Sequence, residues 1–485
     1  MRHLLRAEWT KLTSVRRWVL GLFATVGLTL ALSLATVAGS GSDANDHPEE
    51  LGPVGPAGVR VDDALNFLHQ PLTGDGSITA QVTVLTGHEG YTHEWAKAGI
   101  ILRESTEPGA RYAAIMVTPG HGVRFQANYD TDRAGGDDTA PRWLRLTRKG
   151  TTVTGYESAD GTSWSEVGAV ELDALASTVE VGLFATAPNR LEVETSVGGS
   201  STSSIPTRIT GTFDNVTVEP PQAPAEWQEH DTSRGFVIEP GDPVGFANAS
   251  VEGGVFTVTG SGDIGPHRPD DDVTQLGLMG VNIGLLAVVA IGVLFITSEY
   301  RRGMIRTTFA VSPQRGRVLV AKAIVLGAAT FVVGLVASIT AFFLTQPVLR
   351  SSGFGPPAYP TPSLADWPVL RAVIGAAVFL ALVAVLSLAV GTIMRRSVGA
   401  ITVLVVVFVL STILVGGLPL SAAQWLMRTT PAAGLSILQT IEPESYDTVV
   451  EPWAMAPPLA GLAVLAAYAA AALAAAVWVL RRRDA

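Results

Sequence analysis

Leu276-Gly-Leu-Met-Gly-Val-Asn-Ile-Gly-Leu-Leu-Ala-Val-Val-Ala-Ile-Gly-Val-Leu-Phe-Ile296 contains no charged residue. At 1.5 Å per residue such a run is long enough, as a helix, to cross a hydrocarbon core about 30 Å thick. Working outward, the same reading applies at 18–37, 323–344, 372–394, 398–418 and 457–480. One span therefore lies near the N-terminus, five crowd the C-terminal half, and a polar stretch, 38–275, separates them. The apolar core of 18–37 exceeds the roughly 7–15 residues of a signal-peptide h-region, so it reads as a retained helix. The spans hold no Asp, Glu, Lys or Arg, which weighs against an ion channel or a proton-coupled pump.

Charge gives the direction of threading. The net charge of −10 hides an asymmetry: 38–275 carries 35 acidic against 14 basic residues. The first 37 residues carry Arg2, Arg6, Lys11, Arg16 and Arg17 against the single acid Glu8. Further basic residues cluster in 297–322, at Arg395 and Arg396, and in the tail 481–485. By the positive-inside rule these segments are cytoplasmic and 38–275 is extracytoplasmic. An acidic outer region argues against nucleic acid as a partner. The chain has no cysteine, which excludes disulfides, zinc–thiolate sites and thiol nucleophiles. Four lysines against 29 arginines suggest a GC-rich bacterial genome, hence a bacterial plasma membrane.

Two inner segments are candidates to carry function. In 1–17, Leu5, Trp9 and Leu12 recur at helical spacing among basic residues, as in an amphipathic helix lying at the lipid interface. In 297–322, Thr297 or Ser298 is placed to cap a short helix, with Glu299 early, where the dipole favours an acid. Met304, Ile305 and Phe309 give that helix an apolar side and Pro313 ends it. Such a helix suits docking on a soluble partner; the plainer alternative is a solvated basic loop.

Glu8-Trp-Thr-Lys-Leu-Thr-Ser-Val-Arg-Arg17 resembles the N-terminus of bacterial ABC-2 type transporter permeases, and 297–322 resembles their cytoplasmic loop between the second and third spans. The six-span order matches too. The resemblance implies a separate ABC ATPase subunit that binds the ATP, with no cofactor on this chain. It also implies a coupling surface formed by Glu299, Tyr300, Arg301, Arg302, Gly303, Arg306, Thr307 and Thr308. The sequence carries no Gly-x-x-x-x-Gly-Lys-Ser/Thr, the loop that cradles phosphates. Permeases of this kind work as pairs, implying a homodimer or a close paralogue in the lipid membrane. The large insertion after the first span departs from many members.

Residues 56–220 read as antiparallel β-structure. Short apolar runs at 78–84, 98–102, 112–117, 123–127, 143–146, 153–156 and 179–185 alternate with turn residues, and 210–218 supplies a closing strand. Trp95-Ala-Lys-Ala-Gly-Ile-Ile-Leu-Arg-Glu104, 111–126, 143–164 and 213–218 resemble concanavalin-like lectin/glucanase (laminin G-like) jelly rolls. That resemblance implies an extracellular glycan, stacked on Trp95, Tyr112, Tyr129, Trp143 and Trp164, unless these rings serve packing instead. A glucanase of that family carries Glu-x-Asp-x-x-Glu, but Glu171-Leu-Asp-Ala-Leu-Ala176 lacks the last acid, which argues against glycoside hydrolysis. Asp130, Asp132, Asp137 and Asp138 crowd one stretch as a calcium candidate, without the spacing of an EF-hand. Residues 221–275 read as a membrane-proximal linker, with 256–265 a strand and turn at the membrane surface.

The fold class expected is an α-helical membrane protein with six transmembrane helices plus an extracytoplasmic all-β jelly-roll sandwich. The function expected is the permease subunit of an ABC-2 transporter, an exporter with an outer domain for recognition or sensing. The alternative is a membrane-anchored glycan-binding adhesin or sensor without transport, for which one helix would suffice.

Overall fold

The computed structural model describes residues 1–40, 52–88, 90–173, 175–196, 199–221, 226–233, 247–267, 271–301, 303, 314–415, 418, 420–441 and 456–482. The chain opens with α1 (Arg2–Ser14) and α2 (Arg16–Ala38), separated by the extended residue Val15. After the β-domain come α3 (Val273–Leu278) and α4 (Val281–Arg301), which together make one apolar span. Then follow α5 (Arg315–Ser351), α6 (Trp367–Met394), α7 (Ser397–Val415), α8 (Leu420–Thr429) and α9 (Pro458–Arg482). Among the described residues six helices are long and apolar enough to cross a membrane: α2, α3–α4, α5, α6, α7 and α9. This is a multi-pass membrane protein.

The bundle packs around α6, whose Ala372, Ala376, Phe379, Leu380 and Val383 are all buried. Small residues set its close approaches. A Cβ on Gly334 of α5 would fall 3.1 Å from the Ala377 Cα, and one on Gly292 of α4 would fall 2.6 Å from the Ser387 Cβ. Such rows let helix backbones meet where lipid offers no hydrophobic drive for association.

Between α8 and α9 a 3₁₀ stretch, Pro431–Leu438, is wholly buried. It lies against α6 and α9: a Cβ on Gly375 or Gly461 would run into Ile437 and the Ala433 carbonyl respectively. Nothing in the sequence sets this stretch apart from a loop, because eight residues are too short to span and too small to signal an amphipathic face.

The β-domain is a sandwich of two antiparallel seven-stranded sheets. One runs, edge to edge, Ser165–Glu171, Thr152–Ser158, Arg142–Lys149, Gly76–Gly87, Ile209–Glu219, Val255–Gly260 and Asn248–Glu252. The other runs Gln228–Asp231, Asn66–Thr73, Thr178–Thr186, Lys97–Arg103, Tyr112–Thr118, Gly122–Ala127 and Thr131–Ala134. Ile115, Phe125, Leu144, Val181 and Phe213 meet between them with no solvent exposure.

The sheets correct the boundary expected at 220. Three strands of the supposed linker belong to the sandwich, and the strand expected within 256–265 is one of them, Val255–Gly260. The cause is alternation: Phe256 and Val258 point into the same core as Phe213. Val61–Asp63 pairs with Ile264–Pro266, so entry and exit of the domain lie side by side. Lys97 Nζ fastens the exit, donating to Asp263 Oδ1 at 2.6 Å and to the Ile264 carbonyl at 2.7 Å.

Among the described residues, contacts at Arg60 and at Asp272 tie the sandwich end and the start of α3 to the bundle. The Arg60 amide donates to the Pro357 carbonyl, 2.9 Å away, in the α5–α6 connection. Asp272 caps α3, accepting from the Gln275 amide at 3.0 Å. It also accepts from the Thr440 hydroxyl at 2.7 Å and from the Thr440 and Ile441 amides.

Candidate coupling site

α1 is amphipathic, and its inward face carries both Leu12 and an acid, Glu8, four residues apart and both buried. This face meets α5, whose Lys322 is 1% exposed. Lys322 Nζ donates to Glu8 Oε2 and to Glu299 Oε1 of α4, at 2.6 Å each. Lys11, half-exposed, closes the ring from the solvent side at 3.0 Å from Glu8 and 3.5 Å from Glu299. The ammonium of Lys322 also stands 5.1 Å from the centre of the Phe295 ring, which packs edge-on against Trp18 of α2. Two carboxylates and two ammonium groups thus form a neutral set joining α1, α4 and α5.

Burying these charges is tolerable only as a set, since removing one partner strands another away from water. Burial alone would pull the Lys11 ammonium down; the Glu299 and Glu8 carboxylates outweigh it and hold Lys11 above its ordinary value. Glu299 Oε2 is buried without a hydrogen-bond partner, so one lone-pair face of the set stays unfilled among the described residues.

The residues of the expected coupling surface are only partly brought together. Glu299 is 6% exposed and turned toward Lys322, not outward. Nor does it start a short helix, because α4 runs unbroken to Arg301 and the Thr297 hydroxyl bonds back to the Val293 carbonyl. An acid in a last turn opposes the helix dipole, and the two lysines compensate. Tyr300 is half-buried, with the Arg395 guanidinium 5.2 Å over its ring. Arg301 is exposed and reaches Ser397 of α7 at 3.4 Å. Gly303 follows with φ +69°, a left-handed turn off the helix. Arg302, Arg306, Thr307 and Thr308, with the apolar side at Met304, Ile305 and Phe309, lie outside the described residues.

Sequence reasoning misses the pairing of Glu8, Lys11 and Lys322. Two signals point toward it: Glu8 is the only acid in the first 37 residues, and Lys322 is one of only four lysines in an arginine-rich chain.

The glycan candidates of the β-domain do not share a face. Tyr112 and Tyr129 are buried edge-to-face at 4.8 Å, and burial pushes both phenols up. Trp95 stacks on His121 at 3.7 Å, at the head of the strand Lys97–Arg103. Trp143 and Trp164 lie on the opposite sheet, Trp143 over Gly161 and Trp164 beneath the Arg145 guanidinium at 3.9 Å. Two of the five rings are therefore core, and the other three are divided between two sheets. The acidic cluster is likewise spread. Asp132 pairs with Arg124, Asp138 pairs with Arg142, and Asp130 accepts from Thr131. Among the described residues no three such side chains gather as a metal ion needs.

A family model described as ABC-2 family transporter protein matches residues 129–485, which include five of the six spans. The chain belongs to the ABC-2 transporter family. It is thus a permease component of an ABC transporter, carrying a β-sandwich between its first two spans. No curated protein matches this permease. Among solved structures, a functionally unknown protein from Saccharomyces cerevisiae is similar at 16% identity, over 33% of this chain and 77% of that one, with a TM-score of 0.21. Scytalido-glutamic peptidase bound to a transition state analog inhibitor is similar at 9% identity, over 41% of this chain and 98% of that one, with a TM-score of 0.24. Likenesses so low carry no argument about what the permease does.

Proposed function

We propose that the permease is the membrane subunit of an exporter driven by a separate ATPase, working as a homodimer or with a paralogous permease. The observation that carries this reading is the family match across 129–485, joined to six helices able to span a membrane. In this reading α1, the end of α4 and the start of α5 face the cytoplasm of a bacterial cell, as their positive charge favours. The sandwich stands outside and serves recognition or sensing. ATP binds on the partner, whose closure pushes on the α4–α5 junction and rearranges the spans. The apolar span interiors suit an amphiphilic or lipid-linked substrate.

The test is affinity purification of the tagged chain from its native membrane, followed by mass spectrometry. Recovery of an ABC ATPase is the expected result. Its absence under gentle extraction overturns the reading and favours an adhesin or sensor without transport.

A further inference from the structure

Apolar packing of α1 through Leu12 is non-directional and leaves the helix free to slide or turn on its bed. Paired buried charges are different, because they tolerate one register and rotation. Lys322 imposes such a register on three elements at once. Its two bonds reach Glu8 of α1 and Glu299 of α4, from a position eight residues into α5. Glu299 stands two residues before the end of α4. The same ammonium therefore clamps the helices on both sides of the α4–α5 junction and ties α1 to them. At the other end of α1, Val15 is extended (φ −95°, ψ 102°), a break between α1 and the spanning helix α2.

The geometry points to Lys322 as the positioning residue that makes α1, the last turn of α4 and the start of α5 one rigid body, so that force applied at the α4–α5 junction also reaches α2 through α1. This rests on the reading of a separate ATPase acting at that junction. Lys11 completes the clamp from the solvent side, and its charge, paired with both carboxylates, keeps the set neutral.

The absence of cysteine allows a direct test on the full chain reconstituted in membrane with its co-purified ATPase. Thr13→Cys and Arg317→Cys, both at exposed positions, carry spin labels on α1 and α5. Their separation is measured by pulsed dipolar spectroscopy without nucleotide and with ATP plus vanadate. The expected result is one narrow distance, the same in both states. Lys322→Met is expected to broaden it at least two-fold. Lys322→Arg, which keeps a cation between Glu8 and Glu299, is expected to hold the distance narrower than Lys322→Met does. A merely space-filling lysine would show no such difference. If Lys322→Met does not reach the membrane, Glu8→Gln serves, removing one arm only.

The proposal is overturned if α1 shifts against α5 between nucleotide states in the unaltered clamp, or if the weakened clamp keeps the narrow distance. Should no ATPase accompany the chain, the exporter reading fails, and the nucleotide-free distances still decide whether the clamp exists.

Discussion

Replacing Asp63 by alanine would leave the Arg103 guanidinium buried without its counter-charge. In the native sandwich the two form a bidentate pair, 2.7 Å at each bond, and Asp63 also accepts from the Gly109 amide at 2.8 Å. Stranding such a charge costs about 3–5 kcal/mol. Urea unfolding of the full-length protein, followed by tryptophan emission, should show a loss of that order. His93 supplies a pH dependence. Burial lowers the pKa of its ring, against the pull of Asp263 and Glu94 and together with Lys97 and His121, and Nδ1 accepts from the Trp95 amide at 3.1 Å. A depressed histidine adds stability that is complete above the ordinary value of about 6.5 and is lost as pH falls through the lower folded value. The thermal midpoint of the sandwich should therefore drop between pH 7 and pH 5, and His93→Gln should flatten that part of the profile; an unchanged slope would refute the assignment. None of these pairings is legible in the sequence. A lone Asp, Arg or His carries no mark of the partner that the fold brings to it.

Elements are more legible than residues. The six apolar runs announce six helices, because a long uncharged run has few other uses, and the apolar runs at 179–185 and 112–117 announce strands. What escapes are elements whose burial depends on neighbours. Pro431–Leu438 is buried only because Gly375, Gly434 and Gly461 leave room for it. Gly461→Val should force it aside and destabilise the bundle by about 1–3 kcal/mol, the usual cost of overpacking. Gly27→Val on α2, where a Cβ meets nothing within 4 Å, is the matched control and should leave the detergent-solubilised melting temperature unmoved. Asp272 acts at the same scale, holding the start of α3 to Thr440 and Ile441. Asp272→Ala removes both cap and tether, worth about 1–2 kcal/mol for the cap alone. Amide exchange at 440–441 should quicken in that variant, while exchange in α6 stays slow. The coupling site is half legible: the sequence singles out Glu299, but as an acid early in a short docking helix rather than as a buried partner of Lys322.

At the scale of the whole molecule, topology is the decisive claim. Single cysteines at Thr162 in the sandwich and Thr13 on α1, both exposed, would report it in intact cells through a membrane-impermeant maleimide. Thr162→Cys should label at once and Thr13→Cys only after permeabilisation; the opposite pattern would invert the proposed orientation. Charge asymmetry makes an orientation readable from the residues alone. The extent of the sandwich is not readable in that way, since its last strands sit in a stretch rich in proline, glycine and acid. Those late strands carry a consequence of their own. Because Val61–Asp63 and Ile264–Pro266 are zipped together, the first and last strands of the domain adjoin. Topologically it is an excursion with a closed neck, so a short turn grafted across that neck should spare the helices. In the proposed sensing role, a signal from the sandwich would pass along those two adjoining strands and through local contacts such as the Arg60 bond to Pro357, a narrow mechanical channel for so large an appendage.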